Sequence, residues 1–104
     1  MRQSLSDPEK QNQAAVNQAA RCLKTLAHPT RLMILESLRR GERTVTELEE
    51  IVGGTQSNMS QHLRLMRDRE ILSARKVGNQ VYYSVSDPRL FEIQDAVRAI
   101  FCKV

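Results

Sequence analysis

The sequence predicts a mainly α-helical fold with five helices and one β-hairpin, and three kinds of observation lead to it. Apolar residues recur at the 3.6-residue period of an amphipathic helix in five segments. Helix-start signals such as Asp-Pro and Thr-x-x-Glu stand before several of these segments. Between residues 71 and 85 the period changes to 2, as in a half-buried strand. The 104 residues allow a single domain, 1–104, with a modest core.

The first two helices are separated by His28 and Pro29. The first is predicted over about 8–26, where Asp7 can cap the start and an alanine-rich apolar stripe would let another helix approach closely. The second begins at Pro29, since proline suits the first helical position, and ends at Gly41. His28 is expected to be a helix-start residue rather than a ligand. The residues of the second helix predicted to point inward are Leu32, Leu35 and Leu38.

The third and fourth helices are joined by a short glycine turn. Thr44 and Glu47 have the spacing of a capping box, in which each side chain bonds a free backbone N–H at the helix start. The glycines at 53–54 make the turn, and Thr55 can cap the fourth helix. Two helices and a short turn over about 44–69 have the proportions of a helix-turn-helix.

A β-hairpin is predicted over about 71–85, followed by the last helix over about 88–102. Gly78 and Asn79 suit a two-residue turn. If the chain folds about this turn, four side chains share one face of the hairpin: Leu72, Ala74, Tyr83 and Val85. A shift of one residue would separate them, so the register is well specified. A helix-turn-helix followed by such a hairpin, or wing, is a winged helix-turn-helix.

The fourth helix has an outer face of unusual composition. Met59, Leu63 and Met66 form its apolar stripe. The opposite face holds hydroxyl, amide and arginine side chains, although short polar residues lower helix propensity. The charge is also uneven, because residues 55–80 hold five basic and two acidic residues and so supply +3 of the chain's net +4. These features favour a surface that contacts phosphate groups.

Two long segments, LAHPTRLMIL and TELEEIVGGTQSNMSQHLRLMRDREILSARKVGNQVYYSV, resemble the ArsR/SmtB family of prokaryotic repressors. The resemblance covers about residues 15–103, and its most characteristic parts are the run from Ser60 to Leu63 and the wing ending in YYS. It implies a homodimer whose interface is formed by the first and last helices. It also implies repression at a double-stranded DNA operator, relieved by an inducer, with the fourth helix as the recognition helix.

The resemblance and the side-chain chemistry together identify candidate DNA-binding residues. Glutamine can bond adenine edges, arginine can bond guanine edges, and serine suits bases or phosphates. The candidates on the recognition helix are Gln56, Ser57, Ser60, Gln61 and Arg64. Those expected to contact the DNA backbone or the minor groove are Arg67 and the wing residues Arg75, Lys76, Asn79 and Gln80. His62 is expected either to contact a phosphate or to be a partly buried structural imidazole.

The two cysteines, Cys22 and Cys102, are the candidate inducer-sensing residues. Cys102 ends the last helix, as in the dithiol branch of the family, the persulfide- and redox-responsive repressors of the SqrR, BigR and HlyU type. The other cysteine of that branch falls here at Glu36, and Cys22 lies on the preceding helix instead. The resemblance implies release of DNA when a persulfide, a polysulfide or oxidation links two thiols in a disulfide or polysulfide bridge. Cys22 is then either a relocated partner or a structural residue.

The two metal sites common in the family lack their ligands in this sequence. No cysteine lies near residues 47–50, and the region of the last helix contains Asp87, Glu92 and Asp95 but no histidine. We therefore expect no metal and no cofactor, since carboxylates alone are poor zinc ligands. Two alternatives to the dithiol switch stay open: a thiophilic metal(loid) such as arsenite as inducer, and a ligand-independent repressor with structural cysteines.

Composition and motifs argue against several other classes of protein. No apolar run approaches the roughly 18 residues of a membrane-spanning helix, and the polar start MRQSLSDPEKQNQ shows no secretion signal. A cytoplasmic protein that binds no membrane is therefore expected. There is no CxxC and no nucleophile–base pair, so an enzyme is not expected. A protein-interaction module would show apolar or acidic residues on the outer face of the fourth helix, which this chain does not.

Overall fold

A computed structural model describes residues 7–102 of the chain, and five helices and three strands lie within them. The helices are α1 (Asp7–Leu26), α2 (Pro29–Ser37), α3 (Val45–Val52), α4 (Gln56–Asp68) and α5 (Arg89–Phe101). The strands are β1 (Arg43–Thr44), β2 (Leu72–Val77) and β3 (Gln80–Val85). This element order confirms the predicted winged helix-turn-helix. Over the described residues, no helix combines the length and the hydrophobicity that crossing a membrane requires.

The starts of α2 and α3 form as their sequence signals predict. His28 precedes α2 and accepts a hydrogen bond at Nδ1 from the backbone N–H of Thr30, at 3.1 Å. At the start of α3 the Glu47 N–H donates to Thr44 Oγ1 at 3.2 Å, and the Thr44 N–H donates to the Glu47 carboxylate at 3.0 Å. The Thr44 N–H is also the main reason that the pKa of Glu47 is lowered. Both ends of the capping box are therefore satisfied.

The second helix is shorter than predicted. It ends at Ser37, four positions before Gly41, because the chain tightens at once. The Leu38 N–H bonds the carbonyls of both Ile34 and Leu35, at 3.2 and 3.0 Å, and the Gly41 N–H bonds the Leu38 carbonyl at 3.1 Å. Such closely spaced bonds close the last turn of a helix.

The core lies between α2, α3, α4 and the base of the wing. Its largest fully buried side chains are Ile34, Leu35, Leu48, Met59, Leu63 and Met66. Leu35 and Leu38 point inward as predicted, but the prediction for Leu32 is wrong, since that side chain is 37% exposed. Leu32 lies at the edge of the α2 apolar stripe and lines a groove shared with α1 and α5.

The wing has the predicted register and one additional strand. β2 and β3 pair antiparallel from Leu72↔Val85 to Val77↔Gln80, and Gly78 occupies the turn with φ +60°. The sequence prediction did not include β1, which pairs with the other side of β3. Two residues are too few to show a period, so pairing with β3 alone defines that strand.

The first and last helices bury almost none of their own residues. Thr25 and Leu26 are the buried residues of α1, and α5 has none. The large apolar side chains that these helices leave exposed are Val16, Leu23, Ile93, Val97, Ile100 and Phe101. An apolar surface of this kind on two neighbouring helices is typical of an interface with another chain.

Candidate nucleic-acid interface

The recognition-helix candidate α4 is fixed by its cap and its apolar stripe. Thr55 Oγ1 accepts a hydrogen bond from the Asn58 N–H at 3.1 Å, which starts the helix. Met59, Leu63 and Met66 are at most 1% exposed and hold one side of α4 against the core. The rotation of α4 about its axis is therefore set, and its polar side must face outward.

The outer face of α4 forms a shallow depression of about 400 Å³. Its lining residues are the five predicted for the recognition helix: Gln56, Ser57, Ser60, Gln61 and Arg64. A second depression, of about 610 Å³, shares Ser60 and Arg64 with the first and continues between α4 and the wing to Arg67 and Tyr83. The two together make one concave, mostly polar surface that runs from the start of α4 to β3, which we call the α4–wing surface.

The arginines of the α4–wing surface form no ion pairs with the residues that the structure describes. Between residues 7 and 102, ion pairs engage Arg39, Arg43, Arg75 and Arg89. Arg64 and Arg67 of α4 and Lys76 of the wing take part in none of them. These cations remain available to an external anion, and the clustered phosphates of nucleic acid are the anions that such a concave surface suits.

The wing carries three exposed polar residues as predicted and one arginine that is already engaged. Lys76, Asn79 and Gln80 are exposed at the tip. Arg75 donates from Nε and Nη2 to the Glu42 carboxylate, at 2.6 and 2.8 Å. The side-chain hydrogen bonds between these two residues raise the pKa of Arg75 and lower that of Glu42. The sequence gives no signal for this pair, because Glu42 lies 33 positions before Arg75.

His62 is a half-buried residue on the inner edge of α4, which fits the structural role rather than a phosphate contact. Its Nδ1 accepts a hydrogen bond from Arg31 Nε at 3.2 Å, and Arg31 Nη1 donates to the Thr25 carbonyl at 2.9 Å. The His28 ring lies 4.7 Å away, centre to centre. Burial, followed by the charges of His28 and Arg31, lowers the pKa of His62. Arg31 thus connects the end of α1 to α4.

The cysteines lie on α1 and at the end of α5, outside both depressions of the α4–wing surface. Both are exposed free thiols. Cys102 lines the groove between α1, α2 and α5, which has a volume of about 620 Å³, and Glu36 lines the same groove. Cys22 is not among its lining residues, although the next residue, Leu23, is. The structure therefore places Cys102 and Glu36 in one groove but does not bring Cys22 into its lining.

Glu36, which stands where the dithiol branch has its other cysteine, forms an ion pair. The Glu36 carboxylate pairs with Arg39 at 3.0 Å, and Arg39 also pairs with Asp95 of α5 at 2.9 Å. The Arg39 guanidinium lies 4.9 Å from the centre of the Phe91 ring. Glu36 is therefore part of an ion cluster that connects α2 to α5. Across the described part of the chain, no three His, Cys, Asp or Glu side chains come together as a metal site.

Comparison with known proteins agrees with these observations. Residues 28–74 match the bacterial regulatory protein arsR family. The chain is similar to the crystal structure of NolR from Sinorhizobium fredii, with 39% identity, 96% of this chain and 97% of that one covered, and a TM-score of 0.79. It is also similar to the transcriptional repressor BigR from Xylella fastidiosa, with 34% identity, 94% and 98% covered, and a TM-score of 0.77.

A third similar structure is the homodimeric winged helix-turn-helix DNA-binding domain of a possible ArsR-family regulator from Mycobacterium bovis. It shares 30% identity over 94% of this chain and 91% of that one, with a TM-score of 0.75. The chain therefore belongs to the arsR family. It is a DNA-binding transcriptional repressor of that family and not an enzyme. The similarity to BigR confirms the resemblance to that branch.

Proposed function

We propose that this chain acts in the cytoplasm as a homodimeric repressor that places α4 of each protomer in the major groove of an operator. The observation that carries the proposal is the α4–wing surface. Its side chains are amides, hydroxyls and arginines that form no ion pair within residues 7–102, whereas an ordinary solvated helix face is rich in Glu and Lys. Gln56 and Gln61 suit adenine edges, Arg64 suits a guanine edge, and Ser57 and Ser60 suit bases or phosphates. The residues assigned to the backbone or the minor groove are Arg67, Arg75, Lys76, Asn79 and Gln80.

The homodimer is supported by the apolar surface of α1 and α5. Both helices expose large side chains that a second copy would bury, and the similar domain from Mycobacterium bovis is homodimeric. Two recognition helices of one dimer must lie about 34–36 Å apart to enter successive major grooves. A small rotation at the α1–α5 interface therefore moves both α4 helices out of register with the DNA.

For the inducer, we propose a persulfide or another thiol oxidant that acts at Cys22 and Cys102. The thiolate of one cysteine takes the outer sulfur of an organic persulfide and releases the organic thiol. The second thiol then attacks the protein persulfide, which forms the disulfide and releases hydrogen sulfide. Both thiols are exposed and free to react. Their linkage, within or between protomers, would change how α1 and α5 pack and so release the DNA.

A titration of DNA from the upstream region of the protein's own gene tests both parts of the proposal. Affinity for this DNA should fall steeply with salt, because each phosphate contact releases counterions. Reduced protein should bind, persulfide-treated protein should not, and intact mass should show a Cys22–Cys102 link that a reductant reverses. Cys22→Ser and Cys102→Ser should each bind DNA and resist the treatment.

The outcomes separate the repressor from its switch. If treated and reduced protein bind equally well and with the same salt dependence, the persulfide mechanism is wrong and the repressor itself still stands. If arsenite releases the DNA while the persulfide does not, the inducer is a thiophilic metal(loid). DNA binding that does not depend on salt would contradict the proposal that the α4–wing surface contacts DNA phosphates.

A further inference from the structure

The wing arginine Arg75 is held by an acidic residue at the position where it is expected to meet DNA. We propose that Glu42 competes with DNA phosphate for Arg75 and so lowers the part of the DNA affinity that does not depend on sequence. This inference rests on the proposed wing contact of Arg75. It adds Glu42, which was not among the residues predicted from the sequence, as a residue that sets the strength of DNA binding.

The Glu42 carboxylate occupies the part of the Arg75 guanidinium that a DNA phosphate would bind. A guanidinium offers parallel N–H groups that fit the oxygens of a carboxylate or of a phosphate equally well. Glu42 occupies the edge formed by Nε and Nη2 of Arg75, at 2.6 and 2.8 Å. A phosphate that seeks the same edge must displace the carboxylate, and one that binds at the remaining Nη1 meets the nearby negative charge.

The exposure of both side chains makes this exchange feasible. The side chain of Arg75 is 59% exposed and that of Glu42 is 34% exposed, so the pair is screened by water and weak. Tyr82 lies under the guanidinium at 5.2 Å from ring centre to Cζ. This cation–π contact does not involve Glu42, so it can keep Arg75 at the wing after the carboxylate is displaced.

The other cationic residues proposed to bind DNA differ from Arg75 in this respect. Arg64, Arg67 and Lys76 form no ion pair with any residue in the range 7–102. The wing arginine is thus the one candidate contact in that range whose positive charge is offset within the free protein. Its contribution to phosphate binding should therefore be smaller than its charge implies, and removal of Glu42 should restore it.

Glu42→Gln is the test, because it keeps the size of the side chain and removes its charge. Each additional phosphate contact steepens the slope of log K against log salt by about 0.9, or about 1.8 for a homodimer. Over the range from about 1 M to about 0.1 M salt, a slope change of 0.9 corresponds to about 8-fold tighter binding per protomer. Operator and random-sequence DNA should tighten by the same factor, since the gained contact reads no base.

Three further variants make the measurement specific. Glu50→Gln changes the net charge equally at an exposed α3 residue whose side chain forms no hydrogen bond or ion pair with the described residues, so it measures the general effect of charge. Arg75→Gln removes the proposed contact. Glu42→Gln combined with Arg75→Gln tests whether Glu42 acts through Arg75. Thermal unfolding of each variant verifies that the fold is kept.

The proposal is supported if Glu42→Gln tightens binding and steepens the salt slope beyond Glu50→Gln, and if this gain vanishes in the double variant. A Glu42→Gln protein that matches Glu50→Gln overturns it. Weaker binding by Glu42→Gln also overturns it, since Glu42 would then hold Arg75 in place for the DNA. If Arg75→Gln affects neither the wild-type nor the Glu42→Gln background, the proposed wing contact fails as well.

Discussion

Replacement of Arg64 by alanine is the perturbation that best separates base reading from folding. Arg64 lines both depressions of the α4–wing surface, is exposed, and forms no ion pair with the described residues. Its removal therefore breaks no ion pair and no side-chain hydrogen bond with the described residues. The free energy of unfolding should change by less than about 0.5 kcal/mol, as for ordinary surface substitutions.

The expected loss of DNA affinity follows from the contact that Arg64 is proposed to make. A bidentate arginine–guanine pair contributes about 1–3 kcal/mol of discrimination. A homodimer that reads two half-sites loses the contact twice, so the total is about 2–6 kcal/mol. This corresponds to a weakening of roughly 30-fold to more than 10,000-fold, at about 1.4 kcal/mol for each factor of ten.

Fluorescence anisotropy with operator DNA and with random-sequence DNA measures this loss at a single salt concentration. Arg40→Ala is the matched control, because Arg40 is an exposed arginine outside both depressions and has no ion pair with residues in the described range. It removes the same charge without the proposed base contact. Arg64→Ala should lose far more affinity for the operator than for random DNA, whereas Arg40→Ala should weaken both slightly and equally.

Two results would refute the reasoning. Equal losses on operator and random DNA would make Arg64 a phosphate contact, and the base-reading role would be wrong. Unchanged affinity for both would mean that the outer face of α4 does not meet DNA at Arg64. In that case α4 could not lie in the major groove in the proposed orientation.

Three further predictions concern the stability that holds α4 in place. Leu63→Ala removes a side chain that is 1% exposed and should lower the free energy of unfolding in urea by about 2–5 kcal/mol. Val77→Ala, at a residue that is 49% exposed, should lower it far less. Similar losses for the two variants would contradict the assignment of Leu63 to the core. Thr44→Ala removes the hydroxyl that accepts from the Glu47 N–H and donates to the Glu47 carboxylate, while the backbone N–H of residue 44 remains. It should cost about 1 kcal/mol, with Thr46→Ala on the exposed side of α3 as the control. Burial lowers the pKa of His62 in the folded protein, so the unfolded chain binds a proton at this histidine more readily. The contribution of His62 to the free energy of unfolding should therefore be complete above the ordinary pKa of 6.5 and should decrease as the pH drops below it. Urea unfolding at about pH 7.5 and about pH 5.5 should show this loss, and His62→Gln should reduce it; an unchanged loss would assign the effect to other groups.

The elements of the fold that the sequence predicted correctly depend on neighbours along the chain. The capping box of Thr44 and Glu47, the cap at Thr55 and the register about Gly78 all involve residues a few positions apart, so their chemistry is visible in the sequence. The outer face of α4 was predictable for the same reason. A helical period fixes which residues share a face, and burial of Met59, Leu63 and Met66 decides which face is left outside.

What the sequence could not determine depends on residues that only the tertiary fold brings together. Glu42 meets Arg75 across 33 positions and Arg31 meets His62 across 31, and no local pattern encodes either contact. Leu32 fits the apolar period of α2, yet its side chain lines the groove beside α5 and is exposed. The period predicts which residues share a helix face, but it does not predict which other element covers that face. Local sequence patterns determined the helices, the wing and the polar face of α4. The packing of those elements decided which charges are offset, which histidine is buried and which cysteine shares a groove with Glu36.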